Sequence, residues 1–211
     1  VNEFEVGPLH CYDRGGDGLP VLWHHGTPNL GMPPEPLFAD ADRLAALLPE
    51  RVVGVVSMAG LAPLGAEGLD WFAGMAPVGE AALGAATRGR AAREAFEEPE
   101  GDIGLNDGDG AALAGEWSWF GKVVGPAPGG GQVDDDLAYV ARWRFDPATI
   151  GVPVLPMHGG RDRMVPSSHG EWLARHIPHA QWRLSTQDGH ITVLNKAPQA
   201  LEWLAGLSSG G

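Results

Sequence analysis

Two stretches decide how this chain is read: "GGRDRMVPSSHGEW" (Gly159–Trp172) and "QDGHITVL" (Gln187–Leu194). Each has the form of a strand end followed by a turn that carries one titratable group, Asp162 in the first and His190 in the second. The run before Asp162, "VPVLPMHGG" (Val152–Gly160), is short, apolar and bounded by glycine, which predicts a strand. "QWRLS" (Gln181–Ser185) predicts another ahead of His190. Between them, Ser168 and Glu171 have capping-box spacing before a helix whose inner face is expected at Trp172, Leu173, His176 and Ile177. Strands alternating with helices predict an α/β fold with a mostly parallel sheet. Ligands of such sheets sit beyond the carboxyl ends of the strands, and His25, Asp162 and His190 all follow a strand at that edge.

The same alternation extends upstream. "RVVGVVSMAG" (Arg51–Gly60) is a nearly continuous apolar run, suited to a parallel strand covered on both faces. Near the start, "LHCYD" (Leu9–Asp13) and "PVLWH" (Pro20–His24) flank the turn "GGDG" and predict a hairpin, with "VNEFEV" as an edge strand. A short helix is expected after "GMPPEP", with Leu44, Leu47 and Leu48 on one face and Pro49 ending it. "PQALEWLAGL" (Pro198–Leu207) predicts a closing amphipathic helix, and the tail "SSGG" a loose end. Residues 65–147 differ in character, being rich in Gly, Ala and Trp. Helical patches are expected at Pro77–Glu98, Ala111–Val124 and Asp135–Trp143, separated by "GDIGLNDGDG" and "GPAPGGGQ". Asp134–Asp136 reads as a helix N-terminus, where the dipole favours acids. The expected organisation is a core made of residues 1–64 and 148–211, with residues 65–147 inserted as a helical lid.

Bulk properties narrow the function classes. The 211 residues suit one domain with a sizeable core. A formal charge of −13 argues against nucleic acid or an anionic membrane surface as partner, because phosphate contacts need clustered Lys and Arg. Cys11 is the single cysteine, so neither an intrachain disulfide nor a thiolate zinc site is expected, and the cytoplasm is the default compartment. No apolar run approaches the roughly 18 residues of a membrane helix. "VNEFEV" has neither the basic flank nor the apolar core of a signal peptide, and its lack of Met suggests a trimmed end. No metal is expected: His176 and His179 lack a third ligand, and "NDGDG" (Asn106–Gly110) lacks the acidic spacing and closing Glu of a calcium loop.

The titratable residues suggest acid–base chemistry. An imidazole at position 190 can shuttle a proton near neutral pH. A carboxylate at position 162 can hold its tautomer and stabilise its charged form. "HHGTP" (His24–Pro28) follows a third strand. Gly26 lets the backbone approach a ligand closely, and Pro28 has no N–H, which leaves Thr27 as the amide donor to a developing oxyanion. The bland alternative is an Asp that caps a turn and a His that is merely hydrogen-bonded.

"HHGTP", "HGGRDRMVP" and "DGHITVL" resemble, in order, the oxyanion, acid and histidine loops of the α/β-hydrolase family. "WFAGM", "GEWSWF" and "LPERVVGVVSMAG" resemble a lidded bacterial branch similar to proline-iminopeptidase-like enzymes. The resemblance covers nearly the whole chain. It implies a serine hydrolase of small-molecule carboxylic esters or amides that needs no cofactor. The acid falls on Asp162, the base on His190 and the oxyanion loop on His25, Gly26 and Thr27. The lid tryptophans Trp71, Trp117, Trp119 and Trp143 either line an apolar substrate pocket or pack lid on core.

One part departs from that family. It carries G-x-S-x-G on a sharp strand-to-helix turn ahead of the acid, and no such motif precedes Asp162 in this sequence. Only Thr27–Glu50 lies between the oxyanion loop and "RVVGVVS", where the family has two further strands and their helices. A join near Leu44–Ala45 and a shortened sheet are therefore expected. Ser57 precedes Asp162 and so has the right order for a nucleophile. Val55 occupies a place that a strained elbow reserves for a small residue, and a strand-end hydroxyl is the alternative. Ser118 lies between Trp117 and Trp119 and suits packing, Ser167 and Ser168 suit helix caps, and Cys11 suits a core strand. The competing readings are a non-catalytic hydrolase-like binding protein and a truncated inactive product. A face left uncovered by the lost helices predicts self-association.

Overall fold

A computed structural model describes residues 2–6, 9–13, 52–118, 120 and 129–208. The expected strand at Pro20–His24, the loop with His25, Gly26 and Thr27, the short helix, the join at Leu44–Ala45 and Trp119 lie outside the described residues. β1 (Asn2–Val6) and β2 (Leu9–Asp13) pair antiparallel, with Phe4 opposite Cys11. The edge-strand reading of "VNEFEV" thus corresponds to β1, and its partner is "LHCYD".

The main sheet contains β3 (Val55–Met58), β4 (Val154–Gly159) and β5 (Arg183–Ser185), all parallel, in the order β3-β4-β5. Successive residues of a strand point to opposite faces, and both faces here are apolar. Val55 and Val154 join Ile150, Leu173 and Ile177 on one side. Val56, Leu155 and Met157 join Ala200, Trp203 and Leu204 on the other. Every residue of β4 is buried, as a central parallel strand requires. Among the described strands, "RVVGVVS" lies at one side of β4 and its buried part begins at Val55.

In the segment 65–147, α1 (Pro77–Ala86) starts with proline at its first turn and buries Val78, Ala82, Leu83, Ala85 and Ala86. It is followed by α2 (Arg90–Glu94), α3 (Asp107–Ala114) and α4 (Gly129–Tyr139). Asp134–Asp136 lie inside α4, not at its N-terminus. The reason is tertiary: the buried Arg93 guanidinium donates to Asp136 at 2.6 Å and to Glu98 at 2.5 Å, which ties α2 to α4.

α5 (Ser167–His176) and α6 (Ala197–Ser208) complete the core. The Ser168–Glu171 capping box does not form. Pro166 stands at the cap, so Ser168 falls inside the first turn, its hydroxyl buried without a partner, while Glu171 pairs with Arg175. The buried face of α5 includes His169, Gly170 and Leu173. His176 is exposed and stacks on Trp172 at 3.7 Å. His169 takes the inner position because both its nitrogens find backbone partners: Ala62 N donates to Nδ1 at 3.1 Å, and Nε2 donates to Trp71 O at 2.9 Å. Burial pushes its pKa down to about 4, so the ring is neutral. No described helix is long and apolar enough to cross a membrane.

Candidate active site

The acid turn begins where β4 runs out. Asp162 N donates to Gly159 O at 3.3 Å, and the side chain folds back over its own turn. Its Oδ1 accepts from Met164 N and Val165 N, each at 2.9 Å. Residue 162 is only 5% exposed, and a buried carboxylate needs such donors. They leave Oδ2 free to accept from His190 Nδ1 at 2.8 Å. That bond places the proton on Nδ1 and leaves Nε2 as the nitrogen for proton transfer.

The histidine loop is held as firmly. Asp188 N donates to Ser185 O at 3.2 Å and Ser185 Oγ to Asp188 Oδ2 at 2.5 Å, closing a turn after β5. Gly160 N donates to Ser185 O at 2.8 Å and Arg161 N to Asp188 O at 2.9 Å, so the two turns are stitched edge to edge. Burial by itself would push the His190 pKa down. The Asp162 carboxylate, by charge and hydrogen bond, and the charge of Asp109 outweigh it and raise the pKa above 6.5.

His158 stands behind this pair. Its Nε2 donates to Val165 O at 3.0 Å and lies 3.8 Å from Asp162 Oδ2. Burial lowers its pKa to about 4. The ring is neutral at pH 7, so His190 is the imidazole that takes up charge beside Asp162.

Asp109 was not recognisable in the sequence as part of this region. It is fully buried on α3, and its carboxylate accepts from His190 N at 3.2 Å, Ile191 N at 3.0 Å and Thr192 N at 2.9 Å. The one local signal was "NDGD", which forms a capping box between Asn106 and Asp109.

Ser57 is half-buried within β3, opposite Pro156, and the left-handed backbone (φ 53°) falls at Ala59. Trp71 is buried, donates from Nε1 to Ala62 O at 2.7 Å and packs edge-on against His169. Trp117 is buried against Ile191 and donates from Nε1 to Asn195 Oδ1 at 2.7 Å. Trp143 stacks on Phe145, and Ser118 is exposed. Among the described residues no group of His, Cys, Asp and Glu side chains is arranged to hold a metal ion.

No family model and no curated protein matches the chain. Solved structures do. A thermophilic esterase from Thermogutta terrifontis is similar at 20% identity and TM-score 0.52, over 79% of this chain and 61% of that one. A hydrolase from Pseudomonas aeruginosa PA01 matches at 22% identity and TM-score 0.51, over 81% and 60%. An enol-lactonase from Burkholderia xenovorans LB400 matches at 19% and 0.51, over 80% and 60%. This chain therefore has the α/β-hydrolase fold, with a sheet of three parallel strands among the described residues. It spans about 60% of the length of the structures it resembles.

Proposed function

We propose that this protein is a hydrolase of small-molecule carboxylic esters or amides, with Asp162 and His190 as its acid–base pair. The 2.8 Å contact between Asp162 Oδ2 and His190 Nδ1, beyond the ends of two parallel strands, carries the reading. In the reaction, His190 Nε2 takes the proton of a hydroxyl nucleophile as its oxygen attacks the carbonyl carbon. The carbonyl oxygen becomes an oxyanion, held by the Thr27 amide in the His25–Thr27 loop. As the intermediate collapses, the proton passes from His190 to the leaving alkoxide or amine. A water then repeats the cycle and releases the acid. Asp162 holds the imidazole in its tautomer and stabilises the imidazolium. Residues 65–147 serve as the lid, and the buried Trp71 and Trp117 pack it on the core. The single cysteine fits a reducing, cytoplasmic setting.

The nucleophile separates two readings. Ser57 has the right chain order, but it lies in a strand, and no G-x-S-x-G precedes Asp162. That lack favours a second reading, a hydrolase-like protein that binds without turnover. The deciding experiment is the intact mass of the natural protein before and after a fluorophosphonate probe. One adduct, lost in His190→Ala, is the expected result, and tryptic mapping then names the serine. No adduct and no turnover of p-nitrophenyl esters would overturn the hydrolase reading in favour of binding. A natural mass above 22.2 kDa, the mass of this chain, with one adduct on a peptide outside it, would locate the nucleophile beyond the present sequence.

A further inference from the structure

We infer that Asp109 is a positioning residue for His190: its buried carboxylate holds the histidine loop by its backbone and so sets the Asp162–His190 contact. The inference rests on the acid–base role proposed for that pair. Asp109 is 0% exposed and 81 residues away in sequence from the amide it meets at His190. Its Oδ1 accepts from Ile191 N, Thr192 N and Thr192 Oγ1 at 3.0, 2.9 and 3.1 Å. Its Oδ2 accepts from His190 N and Asn106 N, both at 3.2 Å. The loop amides lead into a 3-10 helix, Thr192–Lys196, whose first N–H groups have no partner within the helix. A carboxylate from another element satisfies them, and a charged acceptor does so about twice as strongly as a neutral one.

The backbone around this contact is shaped to it. A Cβ on Gly189 would overlap the Asp109 carboxylate and the Asn106 amide, so a side chain there would have to push them aside. The same segment also grips the acid turn. Gly104, at φ 94°, lies so close to Arg163 and Met164 that a Cβ there would overlap their backbone, and Asp102 pairs with Arg163 at 2.6 Å. Residues 102–109 therefore touch both turns, the one that carries the acid and the one that carries the base. A capping box explains why Asn106 and Asp109 meet, but not why the carboxylate reaches across to three consecutive amides of the histidine loop.

The charged and titratable groups around His190 are Asp162 and His158 from β4 and its turn, Asp109 from α3, and Asp188 and Lys196 from its own loop and the helix after it. The test is Asp109→Asn in the full chain, read by NMR titration of the His190 ring and by amide exchange at His190, Ile191 and Thr192. Arg93→Met, which breaks the buried ion pair elsewhere in the insertion, is the control. Asp109→Asn is expected to lower the His190 pKa and to speed exchange at those amides about tenfold or more. Arg93→Met is expected to lower the unfolding midpoint yet leave the ring titration and those amides unchanged. Equal effects in both variants, or no effect in Asp109→Asn, would overturn the inference. If Asp109→Asn does not fold, Gly189→Ala presses a methyl against the same carboxylate and must move the same signals. Failure to do so would also overturn it. None of these readouts needs turnover, so a missing fluorophosphonate adduct and a failed positioning role are separate results.

Discussion

Asp162 divides its carboxylate between two backbone amides and one imidazole, and that division makes the His190 titration a direct probe of the site. In Asp162→Asn the burial of His190 is no longer opposed by a contacting charge. Its pKa is expected to fall from above 6.5 to 6.5 or below, measured by NMR of the ring. An unchanged value would mean that the contact is not made in solution. A raised folded pKa contributes stability that is full below the unfolded value and lost as pH rises through the folded one. Asp162→Asn should accordingly cost more stability at pH 6 than at pH 9 through this term. His158 and His169 have the opposite sign. Their folded pKa values lie near 4, below the unfolded 6.5, so the unfolded chain binds protons first. Stability should fall as pH drops from 6.5 to 4, by up to about 3 kcal/mol for each ring. Urea midpoints at a series of pH values check this, and a flat profile across that window would contradict it. Asp162 and His190 could be read from the sequence because each follows a strand. His158 and His169 could not, because what marks them is burial, which arises only on packing.

α5 bears on the fold through His169 more than through its apolar residues. The ring joins the loop after β3, at Ala62, to the segment at Trp71. His169→Ala leaves two buried backbone groups without partners and opens a cavity, and is expected to cost about 3 kcal/mol by urea denaturation. A loss under about 1 kcal/mol would mean that water replaces both bonds. α2 and α4 depend on the Arg93–Asp136 pair. Arg93→Leu alone leaves a buried carboxylate and should cost about 3 kcal/mol or more. The double variant with Asp136→Leu should recover part of that loss, since an apolar pair needs no compensation. These two elements also show where local patterns mislead. The acidic run at 134–136 resembled a helix start, but a partner on another helix outranks the dipole. Ser168 and Glu171 have the spacing of a cap, but the helix is capped two positions earlier, at Pro166.

The described core is a three-stranded parallel sheet with α5 on one face and α6 on the other. Sheets of this kind are stable when both faces are covered. Among the described residues β3 has β4 on one side and no strand on the other, and Val53 beside it is 49% exposed. The face expected to be left uncovered by the missing helices predicts self-association, despite the −13 charge that opposes it. Sedimentation at rising concentration should report a mass above 22.2 kDa that falls in high dilution. A monomer at every concentration, with a high unfolding midpoint, would count against this.

What the sequence determined by itself was local: the strands at Val55–Met58, Val154–Gly159 and Arg183–Ser185, the closing helix, and the turns that bear Asp162 and His190. Alternation, apolar runs and glycine-marked turns act within a few residues, so they survive in a linear reading. The tertiary structure decided which groups meet. His169 reaches Ala62 across 107 positions and Asp109 reaches His190 across 81. Neither pairing has a local signature, because a buried carboxylate or imidazole is stabilised by whatever donors packing brings to it. "NDGD" looked like a failed metal loop until the fold set its aspartate against the histidine loop.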